Sequence, residues 1–341
     1  MRTFSLPLLA LALLVPVPAH AQKSPVALHR LNQSGDGNWV DGFAPPVLGY
    51  VLDPAGSLHQ MPGLPGASWL SAPLHLGMRL AAGAVSPRQD YLLGLTVSDR
   101  RAILLRFAGG STLLAGVDAG ADRVVLSPSG TAVIFAFDAR GRLQIITGLP
   151  DAPTLAGSVD LSQLPGAPAA IALSDDGTSI LASAPAGDGA AIFALSSQSV
   201  PRLLMNGGDF AALAFLRNST DALVADRLRN TLYRLHGAEI APLAAAADGI
   251  AAPVSIAASA DGNRVFVVNS ATATVGFVGA AGGPLTLLSC SCSPATLAPL
   301  AGNAVFRLTE VSEEPLWILD ADSPDPRLLL VPQSSDRRSD R

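Results

Sequence analysis

The sequence predicts an all-β protein with the architecture of a β-propeller, and two observations support this fold class. First, a pattern of an apolar strand, a Ser-Pro or Asp-Gly turn and a second apolar strand recurs six times in the 341 residues. Its turn position falls on Ser86, Ser127, Ser174, Leu216, Ser259 and Pro299, in steps of 41, 47, 42, 43 and 40 residues. Second, the chain has 32 Gly and 27 Pro but only 14% charged residues, which is typical of strands and turns. A period near forty residues that contains only strands indicates propeller blades.

Each repeat is predicted to supply four short strands. In the fifth copy VSIAAS (254–259) is the first strand, and the turn at Asp261-Gly262 reverses the chain because glycine accepts a positive φ. The inner strands are apolar at nearly every position, as expected where both faces are buried between blades. The remaining strands predicted for copies two, three and five are 132–137, 142–148, 154–160, 179–183, 190–196, 201–206, 264–269, 274–279 and 284–289.

The number of blades follows less directly from the sequence. Six complete repeats span residues 78–332, and a further hairpin is predicted within residues 46–63. This hairpin either forms a partial seventh blade, helped by residues 25–31, or caps a ring of six. The sequence favours seven blades, with six as the alternative.

The two ends of the chain are expected to lie outside the propeller. Arg2, an apolar run at 6–18 and Ala19-His20-Ala21 have the pattern of a cleavable signal peptide over residues 1–21. The apolar run is shorter than the roughly 20 residues of a membrane span. We therefore expect an N-terminal extension over 22–45, a propeller over 46–332, a disordered tail over 333–341, and a periplasmic or extracellular location.

Charge excludes one class of partner. The formal net charge is −5, and the chain has no basic patch of the kind that binds nucleic acids. No second long apolar segment follows the predicted signal peptide, so we expect no membrane span in the mature chain. We expect that chain to be a monomer.

The repeats LSPSGTAVIFAF, LSDDGTSILAS and ASADGNRVFVVN resemble those of secreted bacterial propellers of the YVTN and NHL-like group. The resemblance covers most of residues 46–332, although the Tyr-Val-Thr-Asn strand is present only as FVVN (266–269) and no WD dipeptide occurs. It implies an exported scaffold with binding roles, and it carries no mechanism because propellers host many chemistries.

No residue is predicted to be catalytic, to bind a cofactor or to hold a metal. His29, His59, His75 and His236 are dispersed, and no G-x-S-x-G elbow occurs. Five polar residues near strand ends could form a ring of channel ligands, but we favour their interpretation as caps of tight turns. These residues are Asp53, Asp138, Asp226, Asn269 and Asp320.

Cys290 and Cys292 are the only cysteines, and we expect a disulfide between them. Residues i and i+2 of a straight strand lie near the upper limit for a disulfide, so the bond requires a local bend, which Pro294 allows. Free thiols and a two-thiolate contact with Cu(I) are the alternatives.

The sequence thus predicts an exported, non-catalytic propeller that acts as a binding scaffold for an unknown protein or polymer partner. The alternative is a metal-dependent enzyme of lactonase or hydrolase type with its site in the central channel.

Overall fold

The computed structural model describes residues 45–237, 239–312 and 315–333 and is all-β, with six four-stranded antiparallel sheets and one two-stranded sheet in that part of the chain. Each four-stranded sheet is one blade of a propeller, as the repeats predict. The predicted signal peptide (1–21), almost all of the extension (22–45) and the tail beyond Gln333 lie outside the described residues. Among the described residues, none of the helices has the length and apolar character needed to cross a bilayer.

Strands follow in chain order, and four consecutive strands make a blade. The hairpin and the first three blades contain β1 (Val47–Leu52) and β2 (Leu58–Pro62); β3 (Leu80–Val85), β4 (Tyr91–Thr96), β5 (Ala102–Arg106) and β6 (Ser111–Leu113); β7 (Arg123–Leu126), β8 (Ala132–Phe137), β9 (Arg142–Thr147) and β10 (Thr154–Asp160); β11 (Ala170–Leu173), β12 (Ile180–Ala186), β13 (Gly189–Leu195) and β14 (Arg202–Gly208).

The last three blades have the same plan. They contain β15 (Phe210–Phe215), β16 (Ala222–Asp226), β17 (Thr231–His236) and β18 (Glu239–Ala244); β19 (Pro253–Ala258), β20 (Arg264–Asn269), β21 (Thr274–Gly279) and β22 (Thr286–Ser289); β23 (Ala298–Pro299), β24 (Val305–Arg307), β25 (Leu316–Asp320) and β26 (Arg327–Val331). Short 3-10 helices occupy Asp138–Arg140 and Ala246–Asp248.

The first strand of each blade is the innermost one. It forms one edge of its sheet, and β3, β7, β11, β15 and β19 pack against each other in this order around the channel. The second strand lies in the middle of the wall, so every residue of β8 is buried. Its apolar side chains meet those of the neighbouring blade; for example, the rings of Phe266 and Phe306 lie 4.9 Å apart between blades 5 and 6.

The hairpin of β1 and β2 fills the gap between blade 6 and blade 1. Leu48 and Met61 pack with Val305 of blade 6, whereas Leu58 packs with Leu92 of blade 1. The ring therefore holds six complete blades and the two-stranded hairpin that the sequence predicted, in the position of a partial seventh.

The segment after the hairpin joins the two ends of the described chain. Ser71 N–H donates to the carbonyl of Gln60 (2.8 Å), so the segment runs alongside β2. Leu70 N–H donates to the carbonyl of Pro332 (2.9 Å), and Leu70 forms a parallel bridge with Gln333. Closure of the ring thus uses residues from both ends.

The turn at Gly262 provides a test of how the blades are formed. Gly262 has a φ of 74°, and a Cβ atom there would meet no other atom within 4 Å. Because space is available, Gly262→Val is expected to lower the free energy of unfolding through backbone strain alone, by about 2 kcal/mol.

Chemical denaturation of the purified chain measures this change. Ala271→Val is the matched control, since it adds the same side chain to an exposed turn whose φ is not positive. If Gly262→Val unfolded at the same denaturant concentration as the unmodified chain, the conformation assigned to this turn would be wrong.

Candidate functional site

One end of the ring carries the turns between the first and second strands of all six blades, and we call it the turn face. These turns span residues 86–90, 127–131, 174–179, 216–221, 259–263 and 300–304. Hydrogen bonds from these turns and from the strand residues next to them connect each blade to the next around the channel, and together they form what we call the turn ring. Its hydrogen bonds fall into three groups around the circle, centred on Asp175, on Ala260, and on Gln89 with Tyr91.

Asp175 connects blades 2, 3 and 4. Its carboxylate accepts hydrogen bonds from the backbone N–H of Ser129 (2.7 Å), the hydroxyl of Ser129 (2.6 Å) and the backbone N–H of Asn218 (2.7 Å). A short side chain can join three turns only if they lie close together, so Asp175 fixes the spacing of three successive blades.

Ala260 connects blades 4, 5 and 6. Its carbonyl accepts a hydrogen bond from the guanidinium of Arg217 (3.4 Å), and its N–H donates to the carbonyl of Asn303 (2.7 Å). The Asn303 side chain also accepts from the N–H of Asp261 (2.8 Å). This half of the ring therefore rests on backbone groups as well as on side chains.

Gln89 and Tyr91 complete the circle. The amide of Gln89 donates to the carbonyl of Pro299 in blade 6 (2.7 Å) and accepts from the N–H of Tyr50 in the hairpin (2.7 Å). The phenol of Tyr91 donates to the carbonyl of Gly130 in blade 2. Burial raises the pKa of Tyr91, so this donor keeps its proton throughout the ordinary pH range.

Inside the turn ring the channel opens into a cavity of about 530 Å³. Its wall consists of the ends of the six innermost strands, and apolar side chains such as Val125, Ile171, Phe215 and Ile256 predominate in it. A cavity of this size and character matches known binding sites, which are concave and mostly apolar with a few polar groups.

Two arginines are the only charged residues in the described lining of this cavity. The Nε of Arg88 lies 3.1 Å from a carboxylate oxygen of Asp90, so this cation is paired. Arg217 is partly buried, and within the described chain it forms no ion pair; its hydrogen bond to Ala260 is long. The cavity therefore holds one cation without an acidic partner.

The carboxylates on the rim are occupied by their own turns. Asp176 accepts from the hydroxyl of Ser174 and from the N–H of Thr178, and these contacts lower its pKa. Asp261 accepts from the hydroxyl of Ser259 and from the N–H of Asn263, which together lower its pKa to about 2. These anions stabilise turns rather than the cation in the cavity.

The pKa of Asp261 predicts how the turn face responds to acid. Because the folded pKa of about 2 lies below the ordinary 3.8, the ionised carboxylate stabilises the fold. This contribution is complete at neutral pH, shrinks as the pH falls below 3.8 and is lost near pH 2. We expect Asp261→Asn to remove about 1 kcal/mol at pH 7, a value reduced for solvent screening at this exposed site.

Urea denaturation between pH 2 and pH 7 tests this expectation. The unfolding midpoints of Asp261→Asn and of the unmodified chain should differ at pH 7 and converge near pH 2. The control Asp188→Asn, in an exposed turn, should have the midpoint of the unmodified chain at every pH. A constant gap between Asp261→Asn and the unmodified chain at every pH would show that the carboxylate charge is not the stabilising element.

The polar residues at strand ends predicted by the sequence lie away from the cavity lining. Asp226 is fully buried and accepts from the N–H groups of Asp209, Leu228 and Arg229. The side chain of Asn269 accepts a hydrogen bond from the N–H of Ala251 and donates one to the hydroxyl of Thr274.

Ion pairs join Asp226 with Arg229, Asp138 with Arg123, and Asp320 with Arg327. A carboxylate oxygen of Asp53 lies 3.2 Å from Nε2 of His59. His236 pairs with Asp221. Over the described ranges, no group of three or more His, Cys, Asp or Glu residues is placed to hold a metal ion.

Cys290 and Cys292 lie immediately after β22, where the strand has ended. Their Cα atoms are 5.0 Å apart with the two sulfur atoms bonded, a separation that a disulfide spans. The disulfide stays a prediction for the protein in solution. We expect thiol labelling under denaturing conditions without reductant to modify neither cysteine; two labelled cysteines would contradict the bond.

Sequence reasoning missed Arg217, Arg88 and Asp175. Arg217 had a signal, because the fourth repeat departs from the common pattern at this turn and reads Leu216-Arg217 instead of Ser followed by Pro, Asp or Ala. Asp175 had none, since its partners Ser129 and Asn218 lie 46 and 43 residues away.

Comparison with solved structures shows the same class of fold. Virginiamycin B lyase from Staphylococcus aureus is 16% identical with a TM-score of 0.53, and the match covers 74% of this chain and 83% of that one. A functionally unknown protein from Desulfotomaculum acetoxidans is 14% identical with a TM-score of 0.53, over 84% and 99% of the two chains. Hydrazine synthase from Kuenenia stuttgartiensis is 11% identical with a TM-score of 0.51, over 86% and 99%.

The fold and these similarities define the chain as a β-propeller. Identities this low show the fold alone. No protein-family model matches the sequence, and no curated protein matches it either.

Proposed function

We propose that this chain is an exported, non-catalytic propeller of the YVTN and NHL-like kind, which binds a protein or polymer partner as a monomer at the cavity of the turn face. The observation that carries the proposal is the apolar cavity held inside the turn ring. Exposed apolar surface is a hallmark of binding sites when it is concave and contiguous.

The turn ring supports binding because it holds the cavity in shape before a partner arrives. Asp175, Ala260 and Gln89 connect all six blades through contacts that need no ligand. A preformed site loses less conformational entropy on binding than a flexible one, so more of the contact energy remains as affinity.

The distribution of acidic groups favours binding over the metal-dependent alternative. A lactonase or hydrolase of that type needs several carboxylate or amide oxygens that converge on one ion. Among the described lining residues of the cavity there is no aspartate or glutamate, and Asn303 is occupied by Asp261. Stoichiometric calcium or zinc in the purified mature chain would favour the enzyme and contradict the proposal.

The test is a selection of random peptides displayed on phage against the immobilised chain. Ala258 lies in the cavity wall and packs against the apolar cluster between blades 4 and 5, so the indole of Ala258→Trp should crowd the wall and narrow the opening. An unchanged circular dichroism spectrum and unfolding midpoint show that this variant keeps the ring. Leu203→Trp is the matched control, because Leu203 is 52% exposed on an outermost strand.

We expect selected peptides to bind the unmodified chain and Leu203→Trp equally and to lose at least tenfold in affinity for Ala258→Trp. Peptides that bind all three chains alike would place the binding surface elsewhere. Export is checked separately by the mass of the mature chain, which should begin at Gln22.

A further inference from the structure

We infer that the element of the partner that enters the cavity is an apolar peptide segment with one carboxylate, and that Arg217 pairs with this carboxylate. The inference rests on the proposed function and adds the chemistry of the ligand to it. Three features of the turn face lead to it: the state of the charges, the nature of the wall, and the free edges of the inner strands.

The charges favour an anionic group. Arg217 is partly buried in an apolar wall, and a cation in such a place is stabilised by an opposite charge. The nearby carboxylates of Asp175 and Asp261 already accept several hydrogen bonds each from their own and neighbouring turns. Arg88 is paired with Asp90. Arg217 is thus the charged group of the cavity that a ligand can complement.

The wall favours an apolar body next to that charge. Phe215 is the last residue of β15, and Arg217 follows it two residues later in the turn. Phe215 lines the cavity together with Ile171 and Ile256. A ligand whose carboxylate reaches Arg217 places its neighbouring atoms against these side chains. Burial of an apolar side chain here contributes affinity in proportion to the area removed from water.

The free edges of the innermost strands favour a peptide over a simple fatty acid. β3, β7, β11, β15, β19 and β23 each pair with a strand on one side only, and the other side faces the channel. Unpaired N–H and C=O groups on such an edge can bond the backbone of an inserted segment. An alkyl chain offers them no partner.

The experiment compares two peptides that differ in one charge. Acetyl-Leu-Leu-Phe with a free carboxylate and its amide are titrated into the unmodified full-length mature chain, Arg217→Gln and Arg79→Gln, with heat or anisotropy as the readout. Arg79 is an exposed arginine outside the cavity lining, so its variant controls for the loss of one positive charge. Acetyl-Leu-Asp-Phe amide and octanoate show whether a side-chain carboxylate or an alkyl carboxylate serves as well.

We expect the carboxylate peptide to bind the unmodified chain about tenfold more tightly than the amide, which corresponds to one charge-assisted pair. Arg217→Gln should abolish this preference, whereas Arg79→Gln should retain it. Octanoate should bind more weakly than either carboxylate peptide, and salt should weaken the binding of the carboxylate peptide more than that of the amide.

Each contrary outcome has its own meaning. Equal affinity for the carboxylate and the amide, or a preference that survives Arg217→Gln, would overturn this inference. If the peptides then still lost affinity for Ala258→Trp, the proposed function would stand. If no carboxylate peptide bound and the phage peptides ignored Ala258→Trp, both the inference and the proposed function would fail. If octanoate bound as tightly as the carboxylate peptides, the inference that the ligand is a peptide would be overturned.

Discussion

Replacing Asp175 with alanine is expected to lower the free energy of unfolding by about 3 kcal/mol. The carboxylate accepts three hydrogen bonds, two of them from backbone N–H groups of blades 2 and 4. Without it, the N–H groups of Ser129 and Asn218 lose their partners in a partly buried turn, and a hydrogen-bond donor without a partner destabilises the fold. The effect is large because one side chain holds three blades together.

Chemical denaturation monitored by circular dichroism measures the change, and two controls define its origin. Asp188→Ala removes an exposed aspartate from a turn of blade 3 and should change stability by less than about 0.5 kcal/mol. Asp175→Asn keeps one acceptor oxygen and should fall between the two. If Asp175→Ala were as stable as Asp188→Ala, the turn ring would not contribute to stability.

Replacing Phe266 with alanine is expected to have a larger effect, about 4 kcal/mol. Phe266 is fully buried, and its ring lies 4.9 Å from that of Phe306 and 5.9 Å from that of Phe277. Its removal leaves a cavity between blades 5 and 6 that relaxes only partly, so the loss includes both the buried area and the lost contacts.

Phe266→Leu keeps most of the volume and should lose only about 1.5 kcal/mol. The denaturation midpoints of both variants give the comparison, since the slope of the transition should stay unchanged if the fold does. Equal midpoints for Phe266→Ala and Phe266→Leu would contradict the tight packing of the two blades. A lower slope for Phe266→Ala would instead show that this part of the ring opens independently.

The blades could be read from the sequence because they depend on local patterns. The strands predicted at 132–137, 154–160, 264–269 and 274–279 match β8, β10, β20 and β21 at both ends. Alternation, turn residues and apolar runs all lie within about forty residues, and each repeat confirms its neighbours.

The candidate site could not be read in the same way, because the contacts that make it join distant parts of the chain. Gln89 reaches Pro299 across 210 residues, and nothing near Gln89 indicates this partner. The position of the hairpin depends on Leu92 in one cluster and Val305 in another. Arg217 can be recognised as a cavity residue only once the fold places the turns of six blades around one opening.

Closure of the ring has a consequence for the order of events during biosynthesis. Leu48 and Met61 are made early, but the residues of blade 6 that cover them, and Pro332 that bonds Leu70, are the last described residues to be made. A growing chain that still lacks blade 6 therefore cannot complete its ring, and one side of its first hairpin stays uncovered until blade 6 has been made. For a protein threaded through a membrane as an extended polypeptide, as we propose here, the ring closes only after blade 6 has arrived on the far side.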